Sequence, residues 1–254
     1  MLPIAIDTHA HLFLCQRPLD IILRDAEDQN VRYIVNVGIN MATSLQSYEL
    51  YQKHNHLLPT LGIHPCEEET PSFSELDNVL ERCSFRAIGE IGLDYYHTRC
   101  SKSVQITRFE QQLELARKYH LPVIIHNREA DQDMARILPH FSDVTKVIHC
   151  FSSDSVFSQR LLSPTTFFSF TGLITYSKKE KVWEAIKEMP LSQIMIETDS
   201  PYLTPAAFSG KENQPAYVLE IARKIAELKM LSLETVLKTT SQTAMRFFKI
   251  QNEI

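Results

Sequence analysis

Ligand-capable side chains recur in short runs that otherwise carry little charge. They are Asp7-Thr8-His9-Ala10-His11, His64 at the end of LLPTLGIH, Glu90 within AIGEIG, His126 after PVII, His149 in KVIHCF and Asp199 after QIMIET. In an extended segment residues i and i+2 project to the same side, so His9 and His11 can grip one ion together. Glu90 is flanked by Ala87, Ile88 and Ile91, and a carboxylate in such a run is costly to bury unless it is paired or holds a metal. Imidazoles and carboxylates are the ligands of Zn, Mn and related divalent ions, and these groups exceed what a single tetrahedral ion can use. Each residue also has a plainer reading. His126 or His149 could be a hydrogen-bonded core histidine, Glu90 a rim carboxylate beside a Lys or Arg, and Asp199 the start of a turn before Ser200-Pro201.

The elements that must position these groups follow from hydrophobic patterning. Apolar runs at 4–7, 33–38, 57–64, 86–94, 122–127, 146–151, 167–174 and 193–199 are mostly continuous, as in strands covered on both faces. Amphipathic segments separate them, as at 103–119, where Val104, Ile106, Phe109, Leu113 and Ala116 fall near helical spacing. Ser72 with Glu75, and Ser177 with Glu180, have capping-box spacing ahead of helical stretches. Eight strands alternating with helices at about 32 residues per unit predict an α/β fold, a (β/α)8 TIM barrel. Two extra C-terminal helices follow, one opened by Pro215 and running to about Met230, the other capped by Ser232 and running through Phe248. No linker or composition break divides residues 1–254, which predicts one domain. An open doubly wound sheet would also fit the alternation. In a parallel barrel the C-terminal ends of all strands meet on one face, and every ligand-type residue above lies at or near such an end.

Composition removes several classes of function. The 254 residues are 44% hydrophobic and 22% charged with 6 Gly and 12 Pro, which rules out collagenous and low-complexity chains. A net charge of −5 gives no global basic field, so a polyanion would have to be held locally. The five cysteines are odd in number and include no C-x-x-C, which argues against a disulfide framework and fits a reducing compartment. The start, MLPIAIDTHAHL, lacks a basic n-region, and the longest uncharged stretch, between Arg160 and Lys178, is shorter than the ~20 apolar residues of a membrane span. A cytoplasmic protein without membrane association is expected.

For holding a polyanion, the basic residues after strand four (Arg99, Lys102, Arg108) and after strand seven (Lys178, Lys179, Lys181) are candidates. Tyr95, Tyr96, Phe151 and Tyr202 follow strand ends and could stack on bases. Solvated helix faces for the lysines and core or rim packing for the rings are the competing readings. Of the remaining histidines, His97 stands out by its place after strand four.

The ordered set IDTHAHL, LGIHP, AIGEIGLDYY, LPVIIHNREA, VIHCFS, FFSFTGLITY, IETDSPYLTP and Asn213-Gln214-Pro215 resembles the TatD family of metal-dependent deoxyribonucleases, a branch of the amidohydrolase-type barrels. The resemblance runs nearly end to end. It implies two divalent ions (Mg, Zn or Mn): His9, His11 and Asp199 on one, His126 and His149 on the other, and Glu90 bridging. It makes Asp199 and Glu90 catalytic, with Asp199 orienting the attacking water, and puts His64 and Arg128 beside the substrate phosphate. It further implies hydrolysis of DNA phosphodiesters, exonuclease-type on single strands or ends, with DNA as the partner and no obligate protein partner. The same centre would also serve an ester or amide hydrolase such as a D-aminoacyl-tRNA deacylase. A non-catalytic binding barrel is a third reading, against which the full ligand set argues. The chain departs from the family's Arg-Gly-Lys-Arg-Asn-x-Pro pattern at Ser209 and Glu212, and each lost phosphate contact weakens electrostatic binding. Ser153 replaces a usual Gly and Thr243 a usual Asn.

Overall fold

Parallel strands can be joined only by long crossovers, and here the intervening segments supply helices. A computed structural model of the protein describes residues 2–68, 71–97 and 99–250. In chain order the elements are β1 (Ala5–Ala10), α1 (Leu19–Asp28), β2 (Val31–Asn36), α2 (Met41–Lys53), β3 (Leu57–Leu61), α3 (Phe73–Arg82), β4 (Ala87–Asp94) and α4 (Lys102–Tyr119). They continue with β5 (Val123–Arg128), α5 (Asp131–Ile137), β6 (Lys146–Ile148), α6 (Ser155–Leu161), β7 (Thr166–Phe170), α7 (Glu180–Glu188), β8 (Ile194–Ile196), α8 (Val218–Lys229) and α9 (Leu233–Phe247). Strand order equals chain order, β1 to β8, all parallel in type: the (β/α)8 barrel class, with α8 and α9 appended.

The strands differ from their apolar runs mainly at the C-terminal ends. β1 extends to Ala10 and so includes His9, whereas β6, β7 and β8 stop short. Left-handed backbone at Cys150 (φ 48°) and Asp199 (φ 58°) turns the chain away after β6 and β8, and a 3-10 turn at Gly172–Thr175 does so after β7. Ser72 and Glu75 form the expected reciprocal capping box on α3. Ser177 does not cap α7, whose N-cap is Lys179 with no side-chain cap bond.

By chain contacts the protein divides into two compact units. The first comprises Met1–Asn36, Cys150–Gln159 and Phe167–Ile254. Within it β1 lies beside β2, with Asp7 opposite Ile34 and Ala10 opposite Asn36, and β7 lies beside β8. α9, capped by the Ser232 hydroxyl on the Thr235 N–H, packs against β1 and β8, and α8 packs against α9 and β1. Ile221, Ala222 and Ile225 of α8 and Val236, Leu237 and Ala244 of α9 are buried there, so the appended helices cover strands that carry site residues.

The second unit comprises Val37–His149 and Arg160–Thr166. Here β3, β4, β5 and β6 pair in succession, with Gly92 opposite His126 and Ile125 opposite Ile148. Gly92 adopts φ +142°, and a Cβ there would stand 2.0 Å from the His126 carbonyl oxygen, so only glycine lets β4 run this close to β5. The buried face of α4 contains Phe109, Leu113 and Ala116 together with two amides. Gln105 accepts the Asp94 N–H and Gln112 the Ile63 N–H, both at 2.8 Å, which ties the ends of β4 and β3 to the helix.

Candidate metal centre

In the first unit β1 delivers His9, and His11 follows one residue beyond its end. Their Nε2 atoms are 3.2 Å apart. Asp199 Oδ1 lies 3.4 Å from Nε2 of His11 and 3.8 Å from Nε2 of His9. The Asp199 N–H donates to the His9 carbonyl at 2.8 Å, and the left-handed φ of Asp199, which aspartate tolerates better than most residues, turns its carboxylate toward the imidazoles. Beneath them Asp7 accepts bonds from the Thr198 N–H (2.8 Å) and hydroxyl (2.6 Å), locking the chain after β8 to β1. Burial pushes the Asp7 carboxyl up to about 8 in spite of those two bonds.

In the second unit Glu90 is the hub. Its Oε1 lies 2.8 Å from His126 Nδ1, 3.1 Å from His149 Nε2 and 3.7 Å from His64 Nε2. Burial opposes the charge on Glu90, but His149, His64 and His126 outweigh it and hold the carboxyl well below the usual carboxylate range. Burial likewise opposes the His126 imidazolium, and Asp94 and Glu90 overcome it and raise its pKa. The Cys66 N–H donates to His64 Nδ1 at 3.1 Å, so a neutral His64 carries its proton on Nε2, the atom nearest Glu90.

Both donor sets fit a divalent ion. Tetrahedral coordination with bonds of about 2.0–2.1 Å spaces the donors about 3.3 Å apart, which the spacings among His9, His11 and Asp199 approach, as do those from Glu90 to His126 and His149. Such crowding of ionisable groups is otherwise costly, and a dication offsets it.

The family model described as "TatD related DNase" matches residues 6–249. The chain belongs to the TatD family. Among its relatives, the "uncharacterized metal-dependent hydrolase YabD" of Bacillus subtilis is 34% identical over 251 residues, covering 96% of this chain and 98% of that one. YcfH of Escherichia coli K12, also described as an uncharacterized metal-dependent hydrolase, is 31% identical over 253 residues, 96% of each chain. The crystal structure of the Escherichia coli TatD homologue YJJV superposes with a TM-score of 0.90 at 26% identity, covering 97% of this chain and 98% of that one. This TatD-family chain is thus a metal-dependent hydrolase on a TIM barrel with a His/Glu/Asp cluster suited to metal.

Other residues singled out in the sequence have varied surroundings. Arg128, at the end of β5, stacks its guanidinium 4.3 Å from the ring centre of Tyr96, which is 55% exposed. Arg108 is a buried structural residue, donating to the carbonyls of Glu67 (2.7 Å) and His64 (3.2 Å), so the reading of it as a polyanion contact gives way. Phe151 is also core, packed on Phe157, Phe168 and Phe170. Tyr95 bonds Asp133 at 2.6 Å and carries the Lys102 ammonium over its ring. Tyr202 is half exposed with its ring edge-on to His11, centroids 6.5 Å apart. Glu212 accepts the Gln16 N–H at 2.7 Å, and Thr243 donates to the Ser192 carbonyl, so these two of the four departures from the TatD pattern have partners within the fold.

Asp94 was missed by the sequence reading. Its Oδ2 lies 3.1 Å from His126 Nε2 and 2.9 Å from His97 Nδ1. Burial opposes its charge, yet bonds from His126 and His97 hold its carboxyl below the usual range. The signal was available: positions 90 and 94 are four apart on one strand and so face the same side. A carboxylate on the far nitrogen of a ligand histidine fixes its tautomer and ring orientation.

Proposed function

We propose that the chain is a metal-dependent phosphodiesterase acting on DNA, exonuclease-type on single strands or ends, using two divalent ions (Mg, Zn or Mn) and no obligate protein partner. The observation that carries this is the pair of donor sets, His9–His11–Asp199 with donor atoms 3.2–3.8 Å apart, and Glu90 with His126 and His149 at 2.8 and 3.1 Å from its Oε1. The family resemblance adds that Glu90 is shared by both ions. Bound there, divalent ions supply Lewis acidity at phosphoryl oxygens and make water acidic enough to lose a proton near neutral pH. Asp199, the more exposed carboxylate at 15%, orients that water and takes its proton. His64, with its proton on Nε2, donates to a phosphoryl oxygen, and Arg128 neutralises charge on the phosphate. Tyr202 and Tyr96 offer exposed rings on which unpaired bases can stack. Five half-buried cysteines outside any disulfide support residence in the reducing cytoplasm, and no described helix is long and apolar enough to cross a membrane.

A second reading, hydrolysis of an ester or amide such as D-aminoacyl-tRNA, rests on the same donor sets, because an activated water serves carbonyl and phosphoryl centres alike. A side-by-side assay decides. Protein loaded with Mg, Mn or Zn is given end-labelled single-stranded DNA and D-aminoacyl-tRNA, with and without chelator. Chelator-sensitive release of nucleotides supports the nuclease reading. Turnover of the aminoacyl ester with DNA left intact overturns it.

A further inference from the structure

Beyond Glu90, His126 and His149, the second unit holds another group of metal-type donors. Cys66 Sγ, a carboxylate oxygen of Asp94 and a ring nitrogen of His97 lie within 4.8 Å of one another. The backbone N–H groups of Tyr96 and His97 hold Asp94 Oδ1 at 2.9 and 2.8 Å, which leaves Oδ2 between the rings of His97 and His126. Cys66 is fixed from two directions, its N–H on His64 Nδ1 and its Sγ 3.9 Å from the His97 carbonyl. The His97 side chain is 52% exposed, so an ion can reach the group from solvent.

We propose that Cys66, Asp94 and His97 bind a thiophilic divalent ion of the zinc type, at a site separate from the hydrolytic donor sets and coupled to His126 through Asp94. Three protein ligands of S, O and N type with a fourth position open to water are a zinc-like coordination, whereas Mg selects oxygen. Oδ2 of Asp94 and Nδ1 of His97, 2.9 Å apart, need only separate by a few tenths of an ångström to reach tetrahedral spacing. On binding, the Cys66 S–H bond breaks, a bond from sulfur to the ion forms, and the proton leaves to solvent. An ion on Oδ2 also draws that oxygen away from His126 Nε2, so filling this site loosens the orientation of a hydrolytic ligand. The site itself stands on its own geometry; only the coupling rests on the hydrolase reading.

The test is a titration of the full-length chain with Co2+, a spectroscopic substitute for zinc. The expected result is a near-ultraviolet thiolate-to-cobalt charge-transfer band that is lost in Cys66→Ser and in His97→Ala and kept in Cys100→Ser. Loss of the band in both variants is accompanied by one fewer bound cobalt per chain. No band in the wild type at saturating cobalt, or a band that survives Cys66→Ser, overturns the site. His97 is an exposed side chain, so its variant supplies the test should Cys66→Ser fail to fold. For the coupling, zinc beyond the hydrolytic equivalents lowers DNA hydrolysis by about tenfold or more in the wild type and not in Cys66→Ser. Equal inhibition of both proteins overturns the coupling. Absence of hydrolysis from every protein, with the cobalt band intact, counts against the nuclease reading and leaves the site standing.

Discussion

Oδ2 of Asp94 lies 3.1 Å from Nε2 of His126, on the side of the ring away from Glu90. One imidazole thus has a carboxylate at each nitrogen, an arrangement that favours the imidazolium and fixes the tilt of the ring. Asp94→Asn keeps the size and removes the charge. The expected outcome is a loss of about 10–100-fold in metal affinity or in kcat. Metal titration and steady-state kinetics on the variant check it, and a change of less than twofold would show that His126 is oriented by other means.

The ligands proper carry a larger effect. His11→Ala removes a donor and Glu90→Gln removes the charge of one, at ions that would stabilise developing charge by several kcal/mol, so hydrolysis is expected to fall about 10³-fold. Thermal melting of metal-free Glu90→Gln should fall below wild type, because the imidazoles that hold Glu90 ionised lose their counter-charge. Unchanged turnover in either variant refutes the proposed centre.

Two aromatic residues with similar sequence settings should behave in opposite ways. Phe151 is packed among three phenylalanine rings, and Phe151→Ala is expected to cost about 3–5 kcal/mol of stability. Tyr202 is half exposed beside His11, and Tyr202→Ala should leave melting nearly unchanged while raising KM for single-stranded DNA. A stacked base is worth about 1–3 kcal/mol, which sets the scale of that rise at roughly 5- to 150-fold. Melting curves and KM values on the same two variants separate the roles.

Lys146 of β6 predicts a pH effect away from the metal donors. Its ammonium has the Thr165 hydroxyl at 3.3 Å, and burial pushes its pKa down to about 8. Below pH 8 both folded and unfolded chains carry the charge, and the folded chain bears the full cost of burying it. Between about pH 8 and the unfolded value of 10.5 the folded chain releases the proton first, so stability rises with pH across that window. Lys146→Met should therefore melt above wild type at pH 7, with an advantage that shrinks toward pH 10. An advantage independent of pH would rule out the charge as its cause. Each kcal/mol corresponds to about 2–4 °C in a chain of this size.

How legible each residue was depended on how local its determinants are. The capping box of Ser72 and Glu75, the cap at Ser232 and the apolar runs that became strands rest on spacings of a few residues, and those spacings are written in the chain. Ser177 shared the same motif and does not cap, because α7 begins only at Glu180, later than the capping spacing requires. Arg108 and Phe151 looked available for substrate because each follows a strand. Their fate was set by carbonyls of residues 64 and 67 and by rings of residues 157, 168 and 170, which meet them only on folding.

From the sequence alone came the alternation of eight strands with helices, the placement of imidazoles and carboxylates near strand ends, and the membership in a metal-dependent family that the matches bear out. Periodicity and residue type suffice for these, since both are properties of neighbours along the chain. Only the tertiary structure decided that Asp94 stands behind His126, that Cys66 and His97 close around the same carboxylate, and that Asp7 ties the chain after β8 to β1. Those relations depend on strand register and on left-handed turns such as the one at Asp199, where a shift of one residue would turn each side chain to the opposite face.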